Sequence, residues 1–296
     1  MANPLYDRLI APLDGRASDF LILADGRTLS GDAFHRLAAR QAGALVAAGL
    51  VPGDRLAVQV EKSPEALALY AACVMSGVVF LPLNTGYKAD ELEYFVSDSQ
   101  AGAVICGPGA EETLRAIAGS AKVLTLAADG SGSLSDAAAA QPDRFDVASR
   151  GDDDLAALLY TSGTTGRSKG AMLSQSNLLS NALTLVEEWR YTADDVLLHA
   201  LPIFHTHGLF VASNVMLAAG GSMIFLSKFD VDTVLRFLPQ STSMMGVPTF
   251  YTRLLDDARF DREICKGMRL FTSGSAPLLA ETHRAFEART GHRILE

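Results

Sequence analysis

The residues best suited to chemistry stand in one short stretch, residues 160–170, which consists almost wholly of glycine, serine and threonine with one arginine and one lysine. Glycine lacks a Cβ, so the backbone of such a stretch can adopt positive φ and approach a ligand closely. Successive N–H groups can then converge on an anion, with hydroxyl groups and a mobile lysine charge beside them. The stretch therefore predicts a loop that binds a polyphosphate. Its predicted contacting residues are Thr161, Ser162, Gly163, Thr164, Thr165, Gly166 and Lys169.

Two other interpretations of this stretch stay open from the residues alone. The pattern G-x-x-x-x-G-K-[ST] of kinase- and ATPase-type loops opens a helix. Here Gly163 and Gly166 stand too close together and Lys169 is followed by Gly170, which disfavours that pattern. The composition is also that of an ordinary hairpin loop without a ligand, which is the commoner use of glycine and serine. Arg167 is as consistent with a solvated surface charge as with a phosphate contact.

Apolar runs and helix signals around the loop predict alternating strands and helices. Residues 155–159 and 171–173 are apolar, so a strand should stand on each side of the loop. Within residues 55–83, a strand, a helix opened by Ser63 and Pro64, and a second strand form a β-α-β unit. Such a unit implies parallel strands, and the chain is therefore expected to be an α/β protein.

A change of composition predicts how the chain is divided. Residues 127–154 are dominated by Gly, Ser, Asp and Ala and end in an acidic run, which is typical of a solvated connector. The expected organisation is a first lobe at about 1–126, this connector, and a second lobe at about 155–296. Each lobe is expected to be a mostly parallel sheet flanked by helices.

Composition limits the classes of partner and the compartment. The 296 residues are 49% hydrophobic and carry a formal net charge of −9, which argues against nucleic acid or an anionic membrane surface as the main partner. The three cysteines are scattered and predict buried, reduced thiols rather than a metal site or a disulfide framework. The N-terminus lacks a signal-peptide pattern, and the longest apolar stretch, residues 67–83, is short for a membrane span. A cytoplasmic location is expected.

The ordered string YTSGTTGRSKG at residues 160–170 resembles the phosphate-binding loop of the adenylate-forming superfamily, which includes acyl-CoA synthetases and luciferases. Residues 82–85 and the helix pattern after them also resemble that family, with Gly86 near a position where proline is common. The resemblance implies that a carboxylate attacks the α-phosphorus of ATP to give an acyl-adenylate, and that CoA then takes the acyl group. ATP, Mg²⁺ and CoA are the implied cofactors, and a small carboxylic acid is the implied substrate.

Two further segments resemble the pocket residues of this family. Ser275, Ala276 and Pro277 stand where the family's Gly-Ala-x-Pro segment lines the adenine and the acyl group, although by themselves they are typical of a helix start. His205 and His207 stand in the acyl-pocket motif. A lone histidine is more often structural than a ligand, and the resemblance assigns the ligand role to His207.

Arg253 is the remaining candidate for the acid pocket. A substrate carboxylate entering an apolar pocket needs matched donors, because an unpaired buried charge is costly. Arg253, His207 and Ser275 would supply a guanidinium fork, an imidazole and a hydroxyl, although Arg253 alone is equally typical of a surface helix. Residues 200–213 and 246–255 resemble malonyl-CoA synthetases, which take malonate and often methylmalonate. The predicted catalytic residues are Lys169 and His207, and the predicted substrate-binding residues are His207, Arg253 and Ser275.

The resemblance covers only the N-terminal part of the family's chain. It places the magnesium-binding Glu, the adenylation Lys and the C-terminal lid domain beyond Glu296, so no metal ligand is assigned here. Residues 1–296 alone are therefore expected to bind nucleotide weakly or not at all and to be inactive. Two alternatives stay open: a CoA ligase for another small monocarboxylic or aromatic acid, and a non-catalytic nucleotide-binding fragment.

Overall fold

The computed structural model describes residues 3–161 and 168–296, which fold as two compact units. The first unit comprises the described parts of Met1–Ala17, Gly31–Asn181 and Ile203–Thr206. The second unit comprises Ser18–Ser30, Ala182–Pro202 and His207–Glu296.

Strands and helices alternate along most of the chain, as predicted. The strands are β1 (Asp19–Ile22), β2 (Thr28–Ser30), β3 (Arg55–Gln59), β4 (Val79–Pro82), β5 (Ala103–Cys106), β6 (Lys122–Thr125), β7 (Leu155–Thr161), β8 (Lys169–Ser174), β9 (Val196–His199), β10 (Ser222–Phe225), β11 (Ser243–Gly246), β12 (Leu270–Ser273) and β13 (Ile294–Leu295). The helices are α1 (Gly31–Ala47), α2 (Pro64–Ser76), α3 (Ala89–Ser99), α4 (Glu111–Ile117), α5 (Ser133–Ala139), α6 (Gln175–Glu188), α7 (Asn214–Ala219), α8 (Val231–Phe237), α9 (Pro248–Leu255) and α10 (Ala280–Thr290). Short π-helical turns lie at Tyr6–Ile10 and His207–Ser213, and 3₁₀ turns lie at Ala11–Leu13, Pro108–Ala110 and Leu238–Gln240.

Each unit is built on one mostly parallel sheet, which confirms the predicted α/β class. Among the described residues, the sheet of the first unit has the order β6-β5-β3-β4-β7-β8, with β8 antiparallel to β7. The sheet of the second unit has the order β13-β12-β11-β9-β10-β1-β2, with β2 antiparallel to β1. All other pairings in both sheets are parallel.

Local signals explain where α2 begins and ends. The Ser63 hydroxyl accepts a hydrogen bond from the Ala66 N–H, and Pro64 occupies the first helical position. Gly77 ends the helix with a φ of +71°, a conformation that costs glycine little because it has no Cβ. These are the residues from which the sequence predicted the β-α-β unit, and the predicted parallel pairing of β3 with β4 is confirmed.

Each unit has its own apolar core. In the first unit, buried side chains from β3, β4 and β5 pack with those of α3, including Leu81, Phe95 and Val104. In the second unit, Tyr251, Phe271 and Phe286 lie in a cluster with residues of α8 and β9. The three cysteines are buried and free, as expected, and burial raises the pKa of each thiol.

The two units do not coincide with the expected lobes. β7 pairs with β4, so β7 and β8 belong to the first unit rather than opening the second. The segment expected to be a connector contains α5, which contacts α1 and buries Leu134. β1 pairs with β10, so the hairpin of β1 and β2, near the N-terminus, belongs to the second unit. These pairings join strands far apart in sequence, which local composition does not report.

None of the helices within the described ranges is both long enough and apolar enough to cross a lipid bilayer.

Candidate functional site

Lys169 and Thr161 face each other at the end of an antiparallel arm in the first unit, formed by β7 and β8. Tyr160 pairs with Gly170, and Thr161 pairs with Lys169, the last register pair of the ladder. The two strands expected on either side of the loop are therefore present. Residues 162–167 lie outside the described residues, and the predicted phosphate contacts of Ser162, Gly163, Thr164, Thr165 and Gly166 stay predictions. The same holds for the two open interpretations of Arg167.

The second unit has a crevice at the carboxyl ends of β9 and β11. The chain passes from β9 to its neighbour β10, then returns to β11 on the other side of β9. Right-handed crossovers place the helices that follow β9 and β11 on opposite faces of the sheet. Ligands of open α/β sheets bind at such a switch point, outside the carboxyl ends of the strands. The residues that follow β9, β11 and β12 are therefore candidates for ligand binding.

His207 begins a π-helical turn in the segment after β9. The carbonyl oxygen of Gly208, the next residue, accepts hydrogen bonds from His199 Nε2 at 2.8 Å and from Ser213 Oγ at 2.9 Å. His199 and Ser213 are both buried. A Cβ on Gly208 would overlap the carbonyl oxygen of Pro202 and lie 2.8 Å from the carbonyl carbon. The backbone next to His207 is thus fixed by buried polar partners and by a contact that only glycine permits.

Ser275 meets His207 from the loop after β12. Its Oγ lies 3.3 Å from His207 Nδ1, and either atom can donate, depending on the tautomer of the imidazole. Gly274 donates its N–H to the carbonyl oxygen of Gly246 at 3.1 Å. A Cβ on Gly274 would lie 3.2 Å from His207 Cε1, so the small residue lets the ring approach the loop.

The backbone of Ser275 is strained, because its φ of +71° lies in the left-handed region that side chains other than glycine rarely adopt. Such a conformation costs about 1–3 kcal/mol and persists only where the surroundings impose it. Ser275, Ala276 and Pro277 are all exposed, and the Leu278 N–H donates to Glu296 Oε1 at 2.8 Å. The loop is therefore held on both sides of Ser275.

Burial lowers the pKa of His207 below the usual histidine value, because desolvation disfavours the charged ring. A neutral imidazole offers one N–H donor and one acceptor. Together with the Ser275 hydroxyl, it can bind a carboxylate, and a bound carboxylate would in turn favour the protonated ring. His205 lies in the first unit, where it is exposed with its ring centroid 4.6 Å from that of Phe204.

Arg253 lies in the last turn of α9, where a positive charge interacts favourably with the helix dipole. The side chain is exposed, and its guanidinium carbon lies 4.8 Å from the centroid of the Phe229 ring. Phe229 stacks on Phe250 with ring centroids 4.0 Å apart. The structure thus brings His207 and Ser275 together, but within the described residues neither hydrogen-bonds to Arg253. The role of Arg253 as a carboxylate ligand stays a prediction.

Sequence reasoning missed the residues that support His207, namely His199, Gly208 and Ser213. His199 and Ser213 stand among apolar residues, where a buried polar side chain needs a partner. That signal identifies them as polar core residues but does not say which carbonyl they bind. In the described ranges, no group of three or more His, Cys, Asp or Glu side chains is arranged to hold a metal ion.

The sequence model of the AMP-binding enzyme family matches residues 13–296, nearly the whole chain. The chain belongs to the AMP-binding enzyme family. The resemblance of residues 160–170 to the adenylate-forming superfamily is thereby confirmed.

Curated relatives of this AMP-binding enzyme include CoA-thioester-forming enzymes. A feruloyl-CoA synthase from Amycolatopsis sp is 36% identical over 258 residues, which cover 86% of this chain and 51% of the relative. A malonate–CoA ligase from Arabidopsis thaliana is 33% identical over 272 residues, which cover 84% of this chain and 45% of the relative. The chain thus spans about half the length of the curated relatives it matches.

Solved structures extend the comparison. MatB from Rhodopseudomonas palustris superposes on this AMP-binding enzyme with a TM-score of 0.96 in its apo form, at 55% sequence identity. The alignment covers 99% of this chain and 59% of MatB. The ATP-bound form of MatB gives the same TM-score at 56% identity.

Proposed function

We propose that this AMP-binding enzyme activates malonate, or methylmalonate, as an acyl-adenylate and transfers the acyl group to CoA. The observation that carries the proposal is the His207–Ser275 pair, an imidazole and a hydroxyl 3.3 Å apart beside the switch point of a parallel sheet. An acid with a second carboxylate needs such polar partners, because its extra charge must be matched where water is excluded. The similarity to a malonate–CoA ligase supports malonate as the acid.

Each unit has its own role in this proposal. Lys169 and Thr161, on the β7–β8 arm, hold the terminal phosphates of ATP together with residues 162–166. His207 and Ser275 bind the second carboxylate of the acid, with Arg253 as a further donor. Ser275, Ala276 and Pro277 line the adenine and the acyl group. The ATP-bound state of MatB supports the assignment of ATP.

The reaction needs little covalent chemistry from the protein. A carboxylate oxygen of malonate attacks the α-phosphorus, the bond to pyrophosphate breaks, and a mixed anhydride with AMP forms. The CoA thiol then loses its proton as its sulfur attacks the acyl carbon, and AMP leaves. Positioning of the reactants and stabilisation of charge dominate such a transfer. Mg²⁺, which usually binds through substrate phosphates, would neutralise part of that charge. The described side chains include no group of three or more His, Cys, Asp or Glu arranged to hold a metal ion, and no step is assigned to Mg²⁺.

The chain is proposed to be most of the large N-terminal domain of a ligase that works in the cytoplasm on small molecules. The curated relatives are about twice as long as the matched part, which supports a requirement for further residues. Residues 1–296 alone are therefore expected to release no pyrophosphate from ATP and malonate. Pyrophosphate release by this chain alone would contradict that requirement.

An aromatic acid is the second candidate substrate, because a feruloyl-CoA synthase is 36% identical to this chain. The expected discrimination between acids distinguishes the candidate substrates. A site that pairs a second carboxylate should reject acetate by roughly 10⁴-fold, because the pairing groups would be left without partners. The extra methyl group of methylmalonate should change the preference by only about 10- to 200-fold.

A competition experiment tests the proposal. The full-length protein is incubated with ATP, CoA and an equimolar mixture of malonate, methylmalonate, acetate and ferulate, and the thioesters are identified by mass. Malonyl-CoA or methylmalonyl-CoA is expected as the main product. Equal amounts of acetyl-CoA and malonyl-CoA would remove the dicarboxylate claim, and feruloyl-CoA as the main product would select the second candidate. ATP binding without any thioester would favour the non-catalytic alternative.

A further inference from the structure

Three side chains of the first unit lie near the loop end of the β7–β8 arm: Tyr94 and Asp98 on α3, and Tyr160 on β7. We call them the α3 clamp. Tyr94 Oη donates a hydrogen bond to the carbonyl oxygen of Ser168 at 2.8 Å. Tyr160 Oη donates to Asp98 Oδ2 at 2.6 Å. Both strands leading to the loop are therefore connected to one helix by side-chain hydrogen bonds.

Aromatic packing fixes the positions of the two clamp hydroxyls. The ring centroids of Tyr94 and Tyr160 are 5.9 Å apart in an edge-to-face arrangement. The centroid of Phe95 lies 5.5 Å from that of Tyr94 and 4.6 Å from that of Tyr160. Such aromatic pairs are worth about 0.5–1.5 kcal/mol beyond the area they bury. Phe95 is buried in the core of the unit, so the clamp is anchored to a rigid element.

β8 has few other contacts that could fix its position. It is the edge strand of the described sheet and pairs only with β7 there. Its first four residues are exposed, and Met172 exposes 68% of its surface. Burial of apolar surface therefore contributes little to its position. The hydrogen bond from Tyr94 acts on Ser168, the residue directly before Lys169. A shift of the Ser168 backbone would move Lys169 with it.

We propose that Tyr94, Asp98 and Tyr160 are positioning residues that hold Lys169 where its ammonium can bind the terminal phosphates of ATP. This inference rests on the proposed function, which assigns those phosphates to Lys169. In this inference the clamp contacts neither ATP nor the acid; it acts through the backbone of Ser168 and through β7. Loss of the clamp should therefore weaken the binding of ATP and leave the binding of malonate unchanged.

Tyr94→Phe in the full-length protein tests the inference, because it removes one hydroxyl and keeps the ring. A neutral hydrogen bond has a net worth of about 0.5–1.5 kcal/mol, so the KM for ATP is expected to rise about 3- to 10-fold. The KM for malonate is expected to stay unchanged. Tyr160→Phe is expected to act in the same direction. The matched control is Tyr87→Phe: the Tyr87 ring also packs on Phe95, at 4.9 Å, and its hydroxyl has no hydrogen bond among the described residues.

A double-mutant cycle with Lys169→Ala separates positioning from a general structural effect. Tyr94→Phe is expected to have no further effect on the KM for ATP once Lys169 has been removed. The inference is overturned if Tyr94→Phe matches the wild-type protein, if its effect is the same in both backgrounds, or if the KM for malonate rises equally. If Lys169→Ala leaves the KM for ATP unchanged, the proposed role of Lys169 fails and the clamp inference fails with it. If Lys169→Ala raises that KM and Tyr94→Phe does not, only the clamp inference fails.

Discussion

The β7–β8 arm in the first unit and the His207–Ser275 pair in the second are held in place by different means. β8 is an exposed edge strand whose position depends on backbone pairing with β7 and on side-chain hydrogen bonds from α3. His207 adjoins a backbone that accepts two buried hydrogen bonds and that leaves no room for a Cβ at Gly208. One part is positioned by hydrogen bonds near the surface, and the other by buried hydrogen bonds together with close packing.

This difference determines how each part should respond to substitution. Protein interiors are close-packed, so an added atom in the second unit must displace its neighbours. The exposed arm can accept added atoms but depends on particular hydroxyl groups. Substitutions at the packed turn should therefore reduce stability first, whereas substitutions at the arm should alter ATP binding with little change in stability.

The largest effect is expected from a pair of glycine substitutions. Gly208→Ala should reduce the free energy of unfolding by about 3 kcal/mol, because the new Cβ overlaps the Pro202 carbonyl. The gain of about 1 kcal/mol in helix propensity is too small to compensate. Gly170→Ala is the control, because its Cβ would lie 3.4 Å from the Tyr160 ring, an ordinary contact. Its effect should stay within about 1 kcal/mol. Urea unfolding of the two variants measures both values, and equal losses would contradict the contrast between the two parts.

A smaller effect is expected at Arg253, where the structure shows a stacked surface arginine and the proposal requires a carboxylate ligand. Arg253→Ala should lower kcat/KM for malonate about 100-fold, because a hydrogen bond to a charged group is worth about 1.5–3 kcal/mol. Arg236→Ala is the control, since Arg236 is another exposed arginine, with its guanidinium carbon 4.7 Å from the Phe237 ring centroid. Steady-state kinetics compare the two variants. An unchanged kcat/KM for malonate in Arg253→Ala would contradict the proposed role of Arg253 as a carboxylate ligand and leave only its packing on the Phe229 ring.

The smallest effect is expected from the pH dependence of malonate binding. Burial keeps the His207 pKa low in the free protein, and a bound carboxylate favours the protonated ring, so binding takes up a proton. The affinity for malonate should therefore increase about 3- to 10-fold as the pH falls from about 8 to about 6.5. This interval lies above the pH range in which carboxyl groups usually titrate, so their protonation does not account for the change. Titration calorimetry measures this slope. A flat profile, or a slope that persists in His207→Gln, would exclude His207 as the responsible group.

Much of the local structure could be predicted from the sequence, because its causes are local. The helix start at Ser63 and Pro64 depends on neighbouring residues, and it is present as expected. The string at residues 160–170 indicated the family, and the strand predicted on each side of it is present; the structure shows that the two strands pair antiparallel.

The remaining features depend on contacts between residues far apart in sequence. Tyr94 and Ser168 are 74 residues apart, and Ser275 and His207 are 68 apart. The overlap that requires glycine at position 208 depends on the path of the chain at Pro202. The placement of β7 in the first unit follows from its pairing with β4, which no motif in either strand specifies. Sequence pattern thus identified the candidate residues, and tertiary packing determined which of them meet.

In the proposed enzyme the β7–β8 arm binds ATP, and the His207–Ser275 pair binds the acid. Steady-state kinetics of the full-length protein carrying either Lys169→Ala or His207→Gln separate these two roles, because they give the KM for ATP and the KM for malonate of each variant. Lys169→Ala is expected to raise the KM for ATP alone, and His207→Gln is expected to raise the KM for malonate alone. A Lys169→Ala variant whose KM rises equally for malonate and for ATP would contradict these separate roles. So would a His207→Gln variant whose KM rises equally for ATP and for malonate.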